Sequence, residues 1–129
     1  AREFAEHDGT PAPTGEPEVR WFFTSRIPAL ERAVADALAA EEFERSLIVT
    51  PDVFAHQPTT DGGAFHPLGV PLVNYLTAPW YLFDAADTMD KIHEASLVPA
   101  TRTAVRLVEF TRGRSAASLR SACIGPEAG

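Results

Sequence analysis

The sequence predicts an α/β fold in which a mostly parallel sheet with flanking helices forms part of a three-layer sandwich. Three short segments have the apolar, β-branched and aromatic composition of strands, and two longer segments repeat apolar residues at helical spacing. Strands and helices alternate along the chain, and this order favours parallel pairing through crossover helices. Three strands make a narrow sheet with open edges, so we expect the chain to be one part of a larger domain.

The first predicted unit is a strand followed by an amphipathic helix. Residues 18–24 are rich in β-branched and aromatic side chains and follow a proline, which is typical of a strand. Ser25 has the residue type of an N-cap, and apolar residues recur at helical spacing from Ile27 to Leu38. We expect this helix to continue to about Glu42.

Two more strands and a second helix follow. Residues 46–50 are almost wholly apolar and precede a proline, which predicts a strand buried on both faces. Residues 63–68 predict a short helix or turn, and residues 70–76 predict another strand. Ser96 has the residue type of an N-cap for a last helix over residues 97–111. The residues of this helix that we expect to face a sheet are Leu97, Thr101, Ala104, Val105 and Val108.

The chain divides into one predicted domain and two flanking segments. Residues 1–18 are rich in proline, glycine and charged residues and are predicted to be irregular. Residues 19–112 hold the α/β pattern, and residues 113–129 are small and polar, which predicts a flexible tail. Within the domain, residues 77–89 hold aromatic residues without periodicity, which is typical of an ordered loop that walls an active site.

Charge and composition exclude several classes of partner. The formal net charge is 11 − 18 = −7, and the basic residues are scattered, so we expect no nucleic acid to bind. No apolar segment approaches the roughly 20 residues that a bilayer crossing needs, so we expect no membrane insertion. The single cysteine, Cys123, says little about the redox compartment, and the localisation stays open.

The short chemical motifs are weak when each is taken alone. The closest histidines, His56 and His66, flank Asp61, but no His-x-x-x-His pair is present, so surface histidines are the simpler interpretation. Asp61 with its two following glycines has the composition of a turn. The acidic run from Asp84 to Asp90 is typical of a solvated loop. An aromatic group could equally be loop packing or a substrate pocket, and it comprises Tyr75, Trp80, Tyr81 and Phe83.

Three motifs occur together in an order that is similar to one known family. They are Thr-Asp-Gly-Gly-Ala-Phe at 60–65, Gly-Val-Pro-Leu-Val at 69–73 and Asp-Thr-Met-Asp-Lys-Ile at 87–92. Over about residues 19–112 their order and spacing resemble the C-terminal half of the zinc-dependent exopeptidases, which include aminopeptidases and animal glutaminyl cyclases. The resemblance implies a metallopeptidase-like hydrolase, with zinc as the cofactor of the intact protein.

The resemblance also implies roles for particular residues, and two positions depart from the family pattern. Asp61 would support the metal centre through hydrogen bonds without binding zinc. Phe83 stands where the family has its last zinc-binding histidine, and Gly62 stands where it has another histidine; neither side chain can donate a lone pair to a metal. The other ligands have no counterpart in this chain. In a shifted loop, His66 or Asp84 would be the substitute ligand.

We therefore interpret the chain as the C-terminal part of a zinc aminopeptidase-like protein that is not catalytic by itself. Asp61, Tyr75, Trp80 and Phe83 would line a pocket for a peptide-like ligand. The expected partner is the missing N-terminal half or a second copy of the chain. Two alternatives remain open: a non-catalytic binding module that kept the peptidase fold, and an unrelated small α/β domain that matches the motifs by chance.

Overall fold

The computed structural model describes residues 1–50 and 60–121. His56 and Cys123, which the sequence analysis considered, lie outside the described residues. Five strands and three helices occur in the described part of the chain, with short 3-10 turns between them. They are β1 (Arg2–His7), β2 (Thr10–Pro17), β3 (Arg20–Thr24), α1 (Pro28–Ala40), β4 (Ser46–Val49), β5 (Val73–Leu76), α2 (Leu97–Thr111) and α3 (Ala116–Ser121).

The N-terminal segment is a β-hairpin, so the prediction of an irregular segment over residues 1–18 is wrong. β1 and β2 pair antiparallel, with Ala5 opposite Ala12 and His7 opposite Thr10. Asp8 and Gly9 between them both have positive φ angles, which is the conformation of a type I′ hairpin turn. The prolines of β2 are atypical of a strand, and for this reason the sequence did not predict one. An edge strand tolerates proline because its outer N–H groups need no partner.

The central sheet has the strand order β4-β3-β5. β3 pairs parallel with β4, with Trp21 beside Leu47, and antiparallel with β5, with Phe22 opposite Tyr75. The mixed helix and strand content of the prediction is confirmed. In the described residues, however, one strand pairing is parallel and two are antiparallel, so these strands do not form a mostly parallel sheet. In residues 60–72, the described part of the connection before β5, the elements are two short 3-10 turns.

β4 is an edge strand of the described sheet, and the prediction that it is buried on both faces is wrong. Leu47 is 54% exposed and Ile48 is also exposed, whereas Val49 is buried. An apolar composition alone does not say whether a neighbouring strand is present on the second side. The exposed side chains and the free edge leave β4 open to further pairing.

The predicted helix α1 is present, but Ser25 does not cap it. The helix follows Ile27 and begins at Pro28, and no side chain caps it. The Ser25 hydroxyl instead accepts a hydrogen bond from the backbone N–H of Leu72 at 3.1 Å, and the Ser25 N–H donates to the Leu72 carbonyl at 3.0 Å. These two bonds extend the contact between the β3 and β5 segments. The residues that α1 buries are Leu30, Val34 and Ala37.

The core lies between the sheet and the two long helices. Phe22 of β3 contacts the ring of Phe43 edge-on at 6.2 Å between centroids, and Val34 of α1 belongs to the same buried cluster. Side chains alternate along a strand, so Phe23 points to the opposite face, where its ring meets His66 at 5.8 Å. The helices therefore cover one face of β3, and the 3-10 turns near His66 contact the other.

Helix α2 has the predicted bounds but a different buried side. Ala100 and Leu107 pack against the core and Thr103 is buried. The side chain of Glu41, at the end of α1, accepts a hydrogen bond from Arg106 at 2.6 Å and pairs with Arg102 at 3.9 Å, and these bonds orient α2 against α1. The apolar side that was predicted to face a sheet is exposed in the described structure, at Leu97, Thr101, Ala104, Val105 and Val108.

The buried Phe22 side chain carries much of the core. We expect Phe22→Ala to lower the free energy of unfolding by about 3–5 kcal/mol, because it removes an aromatic ring from a packed cluster. Leu47→Ala on the exposed edge strand is the matched control and should cost much less. Urea denaturation of both variants measures the difference; equal losses would contradict the assignment of Phe22 to the core.

Candidate functional site

The four residues predicted to line one pocket have different surroundings in the described structure. Asp61 is exposed at the start of a 3-10 turn, and Trp80 lines another pocket with Phe4 and Pro11. Phe83 is 96% exposed and has a φ angle of +67°, a left-handed conformation that is uncommon for a residue with a large side chain. Tyr75 alone of the four lines the two large cavities described below.

The two candidate substitute metal ligands each make a local contact. The ring of His66 packs against Phe23, and the Asp84 carboxylate accepts a hydrogen bond from the Ala86 N–H at 2.8 Å, which makes a local turn. Over residues 1–50 and 60–121, no three His, Cys, Asp or Glu side chains group as a metal site would require. The donor set of these residues therefore does not fit zinc.

The Asp-Gly-Gly turn near residue 61 has a packing explanation. A Cβ atom added at Gly62 would lie 2.6 Å from Nδ2 of Asn74 and closer still to its Oδ1. Asn74 belongs to β5, so Gly62 lets the turn approach the sheet. The amide Nδ2 of Asn74 and the hydroxyl of Thr60 are both buried without a hydrogen-bond partner among the described residues.

The first large cavity, here called the apolar cavity, opens between β5 and α2 and has a volume of about 320 Å³. Phe22, Leu30 and Val73 form its floor, while Leu107 and Val108 of α2 form one wall. Leu119 of α3 closes part of the other side. A cavity with this lining accepts apolar groups and offers few hydrogen bonds.

The second, here called the polar cavity, has a volume of about 380 Å³ and lies at the start of α2. Its polar side chains include Lys91, His93 and Ser96, with Asp87 on the same lining. Tyr75 and Ala100 line both cavities, so the two are neighbours with a shared wall. Burial raises the pKa of the Tyr75 hydroxyl, which stays neutral.

Arg20 is buried next to the polar cavity and contacts it through Ser96, which is part of the cavity lining. Its guanidinium lies over the Phe43 ring at 4.0 Å and donates hydrogen bonds to the Glu44 carbonyl and to the hydroxyl of Ser96. The residue is 4% exposed, and burial lowers the pKa of the guanidinium, which nevertheless keeps its proton at neutral pH. No carboxylate pairs with Arg20 within the part of the chain that the structure describes.

Ser96 connects this buried charge to His93. The Ser96 oxygen lies 2.6 Å from Nδ1 of His93. Because the Ser96 oxygen accepts from Arg20, its own proton is free to be donated to Nδ1, and the tautomer assigned to His93 then carries its proton on Nε2. Burial, followed by the positive charge of Arg20, lowers the pKa of His93, so the ring is neutral at pH 7.

Sequence reasoning missed Arg20, His93 and Ser96 as a group. The signal for Arg20 was its position, since a charged residue immediately precedes the aromatic run of the central strand. A buried charge needs compensation, so its surroundings merit inspection. Ser96 was interpreted as an N-cap, but its side chain makes no cap hydrogen bond to α2.

The Gly62 contact leads to a test of the turn. We expect Gly62→Ala to destabilise the protein by about 1–3 kcal/mol, because the new methyl group must displace the Asn74 amide. In the double variant, Asn74→Ala should restore part of the free energy of unfolding that Gly62→Ala removes. Thermal unfolding of the two single variants and the double variant gives the coupling; additive losses would rule out this contact as the cause.

Zinc binding has its own test. In a His56→Ala, Cys123→Ala variant, which leaves the described histidines in place, we expect equimolar zinc not to raise the melting temperature, because a ligand stabilises only where it binds the native state. Differential scanning calorimetry with zinc and with a chelator measures this. A zinc-dependent rise that disappears on His66→Ala would restore the metal-site interpretation.

Comparisons with known proteins return no relative. No family model, no curated protein and no solved structure matches the chain. In the described part of the chain, no helix has the length and apolar character that a membrane crossing requires. The resemblance to zinc exopeptidases stays a prediction, and the assignment of function depends on the geometry of the two cavities.

Proposed function

We propose that this chain is a non-catalytic peptide-binding module that keeps elements of a zinc aminopeptidase-like domain. The observation that carries the proposal is the apolar cavity between β5 and α2, which is open to solvent. At about 320 Å³ it is at the lower end of the range for ligand sites, a size suited to one or two apolar side chains.

The surface beside the cavity also favours a polypeptide partner. Helix α2 exposes a row of large apolar side chains on the side that faces away from the core. Val108, which is 67% exposed, belongs to this row and to the cavity wall. Contiguous exposed apolar side chains are typical of interaction sites, because covering them removes apolar surface from water. The members of the row are Leu97, Val98, Val105 and Val108.

The chemistry of the described residues supports binding over catalysis. A zinc peptidase needs a metal that polarises the scissile carbonyl and a carboxylate that takes the proton of the attacking water. His66 and Asp84 contact different neighbours, and neither belongs to a group of three metal donors.

A second candidate function is favoured by the free edge of β4. Leu47 and Ile48 are exposed there, and the strand pairs on one side with β3. An added strand from the N-terminal half of an aminopeptidase-like protein, or from a second copy, would satisfy the free backbone groups. In that case the partner would have to supply the metal ligands, and the assembled protein would be a hydrolase.

The apolar cavity is tested with a short peptide and two matched variants. Acetyl-Ala-Ala-Leu amide is titrated into isotope-labelled protein, and chemical shifts of the cavity residues report binding. We expect Ala104→Trp, which places an indole ring in the cavity, to weaken binding by about tenfold or more. Ala39→Trp is the control, because Ala39 is also an exposed helical alanine and does not line the cavity.

Other outcomes separate the candidates. Equal binding by both tryptophan variants would contradict the proposal. Self-association that Ala104→Trp abolishes, measured by light scattering, would make a second copy the occupant. Zinc-dependent hydrolysis of aminoacyl chromogenic substrates, present only when the chain associates and lost on Ile48→Lys, would favour the second candidate.

A further inference from the structure

The two cavities share a wall, and together they present complementary chemistry. The apolar cavity accepts an apolar side chain, whereas the polar cavity holds basic and hydrogen-bonding groups. Tyr75 and Ala100 separate the two, so one small ligand can reach both. A ligand that carries an apolar side chain next to a negative group would match this arrangement.

The positive charge of Arg20 is the strongest feature near the polar cavity. Buried charges are usually paired, because an ion that leaves water loses its hydration. Arg20 donates hydrogen bonds to a backbone carbonyl and a serine hydroxyl and also interacts with the Tyr75 hydroxyl, and all three groups are neutral. Within residues 1–50 and 60–121 no acid offsets this charge, and an anion in the adjacent cavity would do so.

Two side chains of the polar cavity can donate hydrogen bonds to a bound anion. Arg20 donates to Ser96, and Ser96 lies beside Nδ1 of His93, so the Nε2–H group of His93 remains available to a ligand. Lys91 is the second donor, since its Nζ group uses one bond to Asp90 at 2.6 Å and has further N–H groups. His93 and Lys91 both line the polar cavity.

The nearby acids limit the negative charge that the cavity can hold. Asp90 pairs with Lys91, and this hydrogen bond together with one from Thr88 lowers the pKa of Asp90 to about 2. Asp87 lines the cavity and is exposed. Exposed carboxylates are screened by water and salt, whereas the buried guanidinium is not. The buried charge of Arg20 therefore keeps the cavity favourable to an anion, and the N-terminal ammonium group of Ala1, which also lines the cavity, acts in the same direction.

We infer that the polar cavity binds the terminal carboxylate of a peptide whose last apolar side chain occupies the apolar cavity. This inference rests on the proposed peptide-binding function and adds the part of the peptide that is recognised. One carboxylate oxygen accepts from Nε2–H of His93 and the other from Nζ of Lys91. A peptide amide at the same place lacks the charge that Arg20 requires.

The test compares two peptides that differ only at the C-terminus. Acetyl-Ala-Ala-Leu with a free carboxylate and its amide are titrated by NMR at pH 7 and low salt. We expect the acid to bind about tenfold more tightly, and salt to reduce the difference. Lys91→Met should remove most of the preference, and Asp87→Asn should increase it a few-fold by removing a like charge.

A charge-matched control separates a specific site from the overall field. Arg32→Met changes the net charge as Lys91→Met does, but Arg32 is exposed on α1 and lines neither cavity. It should leave the preference unchanged. Ser96→Ala is a second test, because it interrupts the contact between Arg20 and His93 without changing any charge, and it should also reduce the preference.

The possible failures have different meanings. Equal binding of acid and amide, both weakened by Ala104→Trp, would overturn the carboxylate site and leave the proposed function standing. Absence of binding by either peptide would overturn both. A preference for the acid that Arg32→Met reduces as much as Lys91→Met would show a general charge effect and would overturn the site.

Discussion

The burial of Arg20 is the constraint on which the C-terminal part of this structure depends. The guanidinium joins three segments that are far apart in the sequence: the start of β3, the residues after α1 and the residues before α2. A buried charge tolerates little movement, because each lost hydrogen bond leaves an unsatisfied donor in a poorly solvated place. Arg20 thereby positions Ser96 and, through it, His93 on the wall of the polar cavity.

The same architecture leaves apolar surface uncovered. Helix α2 turns one apolar side to the core and keeps a second apolar side in solvent, next to an open cavity. The pairing of Glu41 with Arg102 and Arg106 accounts for the orientation, since it holds one particular side of α2 against α1. The open cavity and the exposed apolar helix face are the basis of the proposed peptide binding, and the buried charge beside them is the basis of the proposed direction of the peptide.

Local elements were predictable where a strong periodic or compositional signal existed. The bounds of β3 and α2 agree closely with the sequence patterns, because aromatic runs and helical spacing reflect backbone preference. The hairpin over residues 1–18 was missed, since the prolines and glycines of this segment were taken as typical of irregular structure, and the Asp8-Gly9 turn was not considered. Ser25 and Ser96 were both assigned as caps from residue type, but each hydroxyl bonds to a distant segment instead.

The sequence by itself determined the mixed helix and strand content and the positions of β3, α1 and α2 along the chain. It also gave Tyr75 as a candidate pocket residue. Only the tertiary structure decided which side of α2 is buried, that β4 lies at an edge of the described sheet, and that Tyr75 lines both the apolar and the polar cavity. The site depends on Arg20 and Ser96, which are 76 positions apart in the chain. Local propensity and spacing cannot encode such a contact, because it arises from the packing of separate elements around one buried charge.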